Sequence, residues 1–474
     1  MTLASLADAP AAAEWRSLVE KTLKGQPLDT LVSATAEGLP IAPLYLPGEG
    51  PRTVLGLPAR DAERPWDLRA GVAHPDPARA NADLLADLKG GAASGLVRID
   101  PTGANGVAVG SATGLETALK DVILEIAPIA LDAGFLGPQA ADWLAGVARG
   151  SPAAKLNFHM DPLSALAAAG ASPGPVESHL VSAATVAARL AARHPQAGLF
   201  LASGRVVHEA GGGEAAELAF AAASAVAYAR AAVRAGLSME EAWGGIWLGL
   251  SADADYFVTL AKVRAARAVW ARLTDACGVQ VPARIEARSS DRMLAAKDAW
   301  TNMLRLGAAC AGAAMGGVDA IVLGTFTDPL GLPTAFSRRQ SRNTQLVLME
   351  EAHIGRVADP AAGAGYVESL TDAIARAAWA RFQALEAAGG VIAALESGLV
   401  LRQAEEAAEA RAAAGEPRIV GVTAFPPEAE APIEVEAAPP PVVGKGPEAR
   451  LPGPDTTCPP LVPVRLSQAW ESRS

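Results

Sequence analysis

The chain has 474 residues and a formal net charge of −11, and it lacks a basic stripe of the kind that binds nucleic acid. Half of the residues are hydrophobic and only 5% are aromatic, a composition typical of helix-rich globular proteins. Cys277, Cys310 and Cys458 have neither metal-site nor disulfide spacing. With no visible signal peptide and no apolar run of roughly 20 residues, the sequence predicts a cytoplasmic protein that contacts no membrane.

Residues 1–60 are predicted to precede the main domain as an N-terminal arm. Trp15, Leu18, Val19 and Leu23 recur at helical spacing, and Gly25 is expected to end that helix. The following stretch, LDTLVSATAEGLPIAPLYLPGEG, has no helical period and is expected to be extended.

Residues 61–395 alternate between short apolar runs and helical segments, which indicates a parallel sheet. The eight runs that we assign as strands are 67–74, 94–100, 128–134, 154–160, 198–204, 245–251, 283–289 and 320–326. Eight repeats over this length predict closure into a (β/α)₈ TIM barrel of the α/β class.

A doubly wound open sheet is the alternative to the barrel. Such a sheet usually carries a Gly-rich phosphate-binding sequence after its first strand, and none follows the first run here. The glycines of HEAGGGE, after the fifth run, do not have the G-x-G-x-x-G spacing. We therefore favour the closed barrel.

Two segments are expected to follow the barrel. Residues 396–425 are predicted to form a helix and a linker. Residues 426–474 are rich in Pro, Ala and Glu, and we expect a disordered tail because such a composition cannot bury enough apolar surface to fold alone.

One long stretch carries a family resemblance. Residues 332–371 read LPTAFSRRQSRNTQLVLMEEAHIGRVADPAAGAGYVESLT, which resembles the last barrel repeat of the cobalamin-dependent methylmalonyl-CoA mutase family. The resemblance covers about residues 15–400 and is strongest from 255 to 375. It implies that the N-terminal arm wraps a partner subunit; the alternative is a simple extension of the barrel edge.

The resemblance implies a radical rearrangement between methylmalonyl-CoA and succinyl-CoA that uses adenosylcobalamin. In the family, a second domain supplies the cobalt-binding histidine in an Asp-x-His-x-x-Gly motif. The six histidines of this chain all lie outside that motif: His74, His159, His179, His194, His208 and His353. We therefore expect no cobalamin-binding domain and no cofactor on this chain, with adenosylcobalamin bound by a partner subunit.

The family's catalytic barrel reads Ser-Gly-Tyr-His-x-x-Glu-Ala-Gly after its fifth strand, where the histidine can hydrogen-bond the thioester carbonyl. Here Val206 takes the position of that histidine, and His208 could replace it only through a local bulge. Further positions at which the family's polar residues are replaced are Asp61, 69–72, 159–161, 285–290 and 322–324. Loss at several strand ends predicts that this chain has no catalytic residue.

Some family positions are retained. Glu209 and Glu351 match residues near the cofactor, and Arg264 is a candidate for binding the phosphates of a CoA ester. The simpler interpretation is that Arg264 and Arg267 form structural ion pairs on a helix, with Glu350 and Glu351 as candidate partners. We expect no metal site.

Three functions are compatible with these features. The favoured one is the small, non-catalytic subunit of a heterodimeric methylmalonyl-CoA mutase, paired with a cobalamin-bearing large subunit. The alternative is a catalytic acyl-CoA mutase barrel that works with a separately encoded cobalamin-binding subunit. The third is a stand-alone barrel that binds an acyl-CoA and has no mutase partner.

Overall fold

The computed structural model describes residues 12–45, 60–61, 63–72, 74–441 and 449–472. Within them, eight parallel strands form a closed barrel in the order β10-β3-β4-β5-β6-β7-β8-β9, and β10 pairs with both β3 and β9. The barrel strands are β3 (Asp67–Val72), β4 (Ser94–Arg98), β5 (Ile129–Asp132), β6 (Leu156–Met160), β7 (Gly198–Ser203), β8 (Ile246–Ala252), β9 (Ile285–Ser289) and β10 (Ala320–Val322). The predicted closed barrel is confirmed, and each of the eight predicted runs coincides with one strand, although β8 extends one residue beyond its run.

Helices surround the barrel and also form the arm and the C-terminal region. They are α1 (Ala12–Leu23), α2 (Pro77–Lys89), α3 (Ala112–Ala118), α4 (Gly137–Val147), α5 (Pro162–Ala169), α6 (Val176–Ala191), α7 (Arg205–Glu209), α8 (Glu214–Arg234), α9 (Met239–Gly244), α10 (Tyr256–Ala276), α11 (Asn302–Gly316), α12 (Ala335–Leu346), α13 (Gly365–Ala387), α14 (Val391–Glu396), α15 (Leu399–Ala413) and α16 (Gln468–Glu471). A π-helical turn, Val347–Glu351, extends α12. The arm contains a two-stranded antiparallel hairpin of β1 (Ser33–Ala34) and β2 (Pro40–Ile41).

The strands are mostly buried on both faces because helices cover the outside and side chains fill the inside. All residues of β6, β7, β8 and β9 are buried. The long alanine-rich helix α8 is also buried on most of its surface, since it packs against β7 on one side and α13 on the other. Small side chains allow this close three-layer packing.

Among the described residues, α8 is the one helix whose length and composition would allow it to cross a bilayer. Its most apolar window is 72% buried within the fold, which is the pattern of a core helix. A single helix of this kind is weak support for a membrane span.

The C-terminal region differs from the expected disordered tail. Residues 449–472 cross the barrel, and the backbone N–H groups of Cys458 and Leu461 donate to the carbonyls of Gly170 and Ala167 at the end of α5. Leu461 is fully buried. The segment has few apolar residues of its own, but it gains burial and hydrogen bonds from the barrel, so composition alone gave the wrong expectation for this part of the tail.

Candidate functional site

A cavity of about 660 Å³ opens at the carboxyl ends of the barrel strands, and we call it the mouth cavity. Its apolar part includes Gly71, Leu96 and Val322, and charged side chains surround this part. The charged residues in its wall include Arg98, Arg205, Arg288, Asp291 and Asp328. This is the end at which barrel enzymes carry their catalytic residues, and the volume lies in the range of small-molecule pockets.

A larger groove of about 950 Å³ lies outside the barrel between α10 and α13. Its lining includes several alanines and the stacked pair of Arg272 and Trp379. It is remote from the strand ends, so the mouth cavity is the better candidate for a site derived from barrel chemistry.

An ion-pair network crosses the interior of the barrel below the mouth cavity. Glu286 of β9 accepts from Arg69 of β3 at 2.5 Å and from Arg288 at 2.7 Å. Arg288 also donates to Asp132 of β5 at 2.6 Å. Because β9 and β5 lie on opposite walls of the eight-stranded barrel, the Arg288–Asp132 pair spans its diameter.

The network is electrostatically tight. Burial alone would raise the pKa of Glu286, but Arg288 and Arg69 outweigh burial and hold this pKa far below its usual range. The same balance keeps the pKa of Asp132 low, with Arg288, Arg98 and Arg205 opposing the effect of burial. All these groups are therefore charged at neutral pH, and the ion pairs occupy the barrel axis.

His159 lies in this interior. Its backbone adopts φ = +48°, an unusual conformation for a non-glycine residue, beside a register irregularity between β6 and β7. Burial lowers the pKa of His159 to about 3, so the imidazole is neutral despite Glu286 at 3.8 Å. Neither ring nitrogen has a hydrogen-bond partner among the described residues.

Several of the replaced family positions meet at the mouth cavity. Residues 70–72 of β3, Arg288 and Ser289 of β9, and 322–324 at the end of β10 all line it. Val322, Leu323 and Gly324 present no side-chain hydrogen-bond donor where the resemblance implies His-Thr-Asn. The structure thus brings the altered positions together at one end of the barrel.

The turn after β7 places Val206 and His208 differently. Both belong to α7, so they are about 200° apart around a helix, and the bulge that would exchange them does not occur. The His208 ring is fully buried, with Nε2 2.9 Å from Ser290 Oγ and 3.2 Å from Asp253 Oδ2. His208 therefore contributes to a buried polar cluster, and it is absent from the described lining of the mouth cavity.

Glu209 lies in the same buried cluster, behind the wall of the mouth cavity. It accepts from the backbone N–H of Arg292 at 3.1 Å and from Ser251 Oγ at 3.3 Å. Arg205 approaches its carboxylate at 3.7 Å. These contacts fix the loops that follow β7, β8 and β9 relative to one another.

Glu351 is exposed at the end of the π-helical turn, as is Glu350 beside it. Glu351 and Glu209 thus lie in different surroundings, and the structure does not bring the two predicted cofactor-site acids together. Neither belongs to the described lining of the mouth cavity.

Arg264 lies on α10, outside the barrel, with a fully buried side chain. It donates to Asp359 and Glu368, each at 3.0 Å, and to Thr371 at 3.1 Å. Arg267 pairs with Asp319 at 3.0 Å. The expected structural ion pairs are present, but Glu350 and Glu351 were the wrong partners because both lie on the exposed surface after α12.

The retained phrase at 342–346 holds α12 in place. Arg342 pairs with Asp87 of α2 at 2.5 Å, and Gln345 accepts from the indole N–H of Trp66 at 3.1 Å. These contacts join the last barrel helix to the first and close the outer ring. The structural contacts of residues 342–346 therefore explain why this family sequence is retained.

Sequence reasoning missed Arg98 and Arg205 in the mouth cavity. Arg98 is the last residue of β4 and Arg205 is the first residue of α7. Position at the carboxyl end of a predicted barrel strand was the signal that could have identified both, because such positions meet at the mouth. No group of three or more His, Cys, Asp or Glu suited to a metal ion occurs among the described residues.

Comparison with known proteins shows to which protein family this chain is related. The model of the family described as methylmalonyl-CoA mutase matches residues 44–451. This chain belongs to the methylmalonyl-CoA mutase family. The match spans the barrel and part of the C-terminal region.

Relatives in the methylmalonyl-CoA mutase family show graded similarity. The chain is 39% identical to a methylmalonyl-CoA mutase small subunit from Streptomyces virginiae, over 90% of this chain and 72% of the relative. It is 37% identical to a probable small subunit from Mycobacterium tuberculosis, over 85% and 68% respectively. A protein named methylmalonyl-CoA mutase from Cereibacter sphaeroides is 31% identical, over 89% and 65%. Similarity is higher to these two proteins named as small subunits.

Proposed function

We propose that this chain is the small subunit of a two-chain methylmalonyl-CoA mutase and serves as the structural partner of a large catalytic subunit. The observation that carries the proposal is the composition of the mouth cavity. Val322, Leu323 and Gly324 line it without donors, and the Arg288–Asp132 pair closes the barrel axis beneath it. A thioester carbonyl would find no hydrogen-bond donor at these three side chains.

The mouth cavity does not suit adenosylcobalamin. Its volume of about 660 Å³ fits a drug-sized ligand, whereas a corrin ring with its nucleotide tail is much larger. His159 and His208 are both enclosed in the fold and cannot reach a cobalt ion in the cavity. We therefore assign cofactor binding to the partner subunit and derive no reaction step on this chain.

The N-terminal arm supports association with a partner. None of residues 13–23 in α1 is buried, and Leu18 in its apolar stripe is 56% exposed. Further along, Glu37 accepts from the backbone N–H groups of Ala215 and Ala216 at 2.7 and 3.3 Å, which anchors the arm at the start of α8. The arm is thus anchored on its own barrel through Glu37 and presents an unburied amphipathic helix that a second chain could cover.

On this proposal Glu209 and Arg264 have structural roles, because buried ion pairs and hydrogen bonds already occupy them. The substrate of the two-chain enzyme would be methylmalonyl-CoA, in equilibrium with succinyl-CoA, and the compartment would be the cytoplasm. A CoA ester is expected to bind at the large subunit.

Co-expression with a large mutase subunit tests the proposal. We expect a stable 1:1 complex on size-exclusion chromatography and succinyl-CoA formation by that complex with adenosylcobalamin. The matched samples are this chain alone, the large subunit alone, and this chain with an isolated cobalamin-binding protein. Failure to associate would refute the subunit role. Turnover by this chain with only the cobalamin-binding protein would instead establish a catalytic barrel.

A further inference from the structure

We propose that the mouth cavity binds a small anion, a carboxylate or a phosphate, through Arg98, Arg205 and Arg288. The three guanidinium groups come from different parts of the chain: the end of β4, the start of α7 and the carboxyl-terminal part of β9. The inference rests on the cavity itself and is independent of the subunit role. It requires neither cobalamin nor a partner chain.

The three arginines line the cavity and act on the same carboxylate, that of Asp132. Arg288 donates to Asp132 at 2.6 Å, and Arg98 and Arg205 both contribute to keeping the pKa of Asp132 low against the effect of burial. Arg288 is also paired with Glu286, whereas Arg98 is exposed and forms no ion pair with a described residue. Arg98 therefore adds a positive charge near Asp132 that no ion pair with a described residue compensates.

Unused donors point to a ligand at this position. Arg288 Nη2 and Arg205 Nε are both buried and have no hydrogen-bond partner among the described residues. The side chain of Arg288 is only 9% exposed, and both residues line the mouth cavity. Buried polar groups are normally satisfied, so an acceptor such as a carboxylate or phosphate oxygen would complete these two donors.

Two carboxylates in the same wall modulate the charge. Asp291 and Asp328 are exposed, and both line the mouth cavity. Burial raises the pKa of Asp328 to about 7, with Asp291 adding repulsion, and burial together with Glu209 raises the pKa of Asp291. Deprotonation of Asp328 around pH 7 adds negative charge beside the arginines, so anion affinity should fall as the pH rises from 6 to 8.

Isothermal titration calorimetry on the full chain tests the proposal, with inorganic phosphate and acetate as separate probes at constant ionic strength. We expect saturable binding of at least one probe. The variant R98Q/R205Q should weaken that binding by about tenfold or more, because it removes two guanidinium groups that can donate charge-assisted hydrogen bonds to the anion. Preference for phosphate or for acetate identifies which source of the anion the site favours.

The control variant is Arg230→Gln, which alters an exposed arginine paired with Glu386 on the outside of the fold. It should bind like the unmodified chain. If acetate is the bound probe, its affinity should be higher at pH 6 than at pH 8, because acetate keeps one charge over this range. If phosphate is the bound probe, its own charge changes over this range, so the comparison of the two variants alone tests the proposal. Thermal denaturation should show that R98Q/R205Q is folded, since neither arginine belongs to the buried network at Glu286. Absence of saturable binding by either probe, or equal binding by both variants, would overturn the proposal.

Discussion

Asp161 is a carboxylate held beside a phenol at the start of α5. Its Oδ1 accepts from Tyr228 at 2.5 Å and from the backbone N–H of Ser164 at 3.1 Å. Burial raises the pKa of Asp161 to about 6, despite these hydrogen bonds. The folded-state value is above the unfolded one, so this group's favourable contribution is present at low pH and is lost as the pH rises through about 6.

Asp161→Asn should therefore stabilise the protein at pH 8. Asparagine keeps an oxygen that can accept both hydrogen bonds, and it removes the desolvated charge. We expect a gain of about 1–2 kcal/mol, less than the full pKa difference implies because the residue is partly exposed. Urea denaturation at pH 8 and at about pH 3.5 checks this, since the gain should largely disappear only below the unfolded-state pKa of about 3.9. An equal effect at both pH values would contradict the electrostatic origin.

Lys262 and Glu217 form a buried ion pair at 2.5 Å, and Glu217 also accepts a hydrogen bond from the backbone N–H of Ser251 at 2.6 Å. Lys262→Met should cost roughly 3–5 kcal/mol because it leaves a buried carboxylate without its cation. Thermal or urea denaturation at pH 7 measures this loss. Lys21→Met, at an exposed position on α1, is the control and should change stability little.

The same pair predicts acid sensitivity. Burial would raise the pKa of Glu217, but Lys262 and His208 outweigh it and lower the pKa to about 2. The folded-state value is below the unfolded one, so the stabilisation is complete above about pH 4.5 and is lost as the pH falls towards 2. The urea concentration at the midpoint of unfolding should fall as the pH is lowered across this range. In Lys262→Met this fall should be smaller, because the pKa of Glu217 is no longer lowered by Lys262.

At the residue scale, positions within a motif could be read from the sequence, but the groups that surround them in the fold could not. Val206 was identified by its place in a motif, and the helical turn of α7 then directed His208 into the buried cluster. Arg98 and Arg205 were not identified because they are over 100 residues apart in the chain and meet only when the barrel closes. The ion pair of Arg288 with Asp132 depends on the same closure.

At the level of single elements, the contribution of the C-terminal segment 449–472 to the stability of the fold can be tested directly. Leu461 is fully buried, whereas the next residue, Val462, is 62% exposed. Leu461→Ala should cost about 2–4 kcal/mol, the usual range for loss of a large buried aliphatic side chain. Val462→Ala should cost little. Thermal denaturation of the two variants compares them, and equal losses would show that the segment is not bound as described.

The anchor of the N-terminal arm can be tested at a glycine. A Cβ atom on Gly213 would overlap the side chain of Glu37, whereas Gly146 on α4 has open space at that position. Gly213→Ala should release Glu37 from the start of α8 and expose the arm to protease. Gly146→Ala is the matched control, expected to be neutral or slightly stabilising. Limited trypsin digestion followed by mass spectrometry detects cleavage near Lys24, and equal rates would contradict the anchor.

At the element scale, strand and helix order could be predicted because periodicity and turn residues are local properties. The contacts of the arm and of the C-terminal segment could not. Glu37 finds its backbone donors 178 and 179 residues further along the chain, and Leu461 is buried by a helix nearly 300 residues before it. Such pairings depend on the three-dimensional arrangement, which no local pattern encodes.

For the whole molecule, the proposed division of labour predicts that the mouth of this barrel can change without altering turnover. Val206→His in the assembled two-chain enzyme should leave the rate of succinyl-CoA formation within about twofold of the unmodified enzyme, because the reacting groups would lie in the partner. Steady-state assays of the purified complex check this. The matched substitution that removes the corresponding histidine of the large subunit should strongly reduce turnover.

The Arg288–Asp132 pair acts as a crossbar inside the cylinder. An extended ligand cannot pass along the barrel axis unless it first separates Arg288 from Asp132. Separating the two charges in a poorly hydrated interior is unfavourable. The two ends of the barrel are consequently separate compartments. A ligand that enters from the carboxyl ends of the strands is stopped by this ion pair. It can therefore bind no deeper in the barrel than the layer of side chains that contains Arg288.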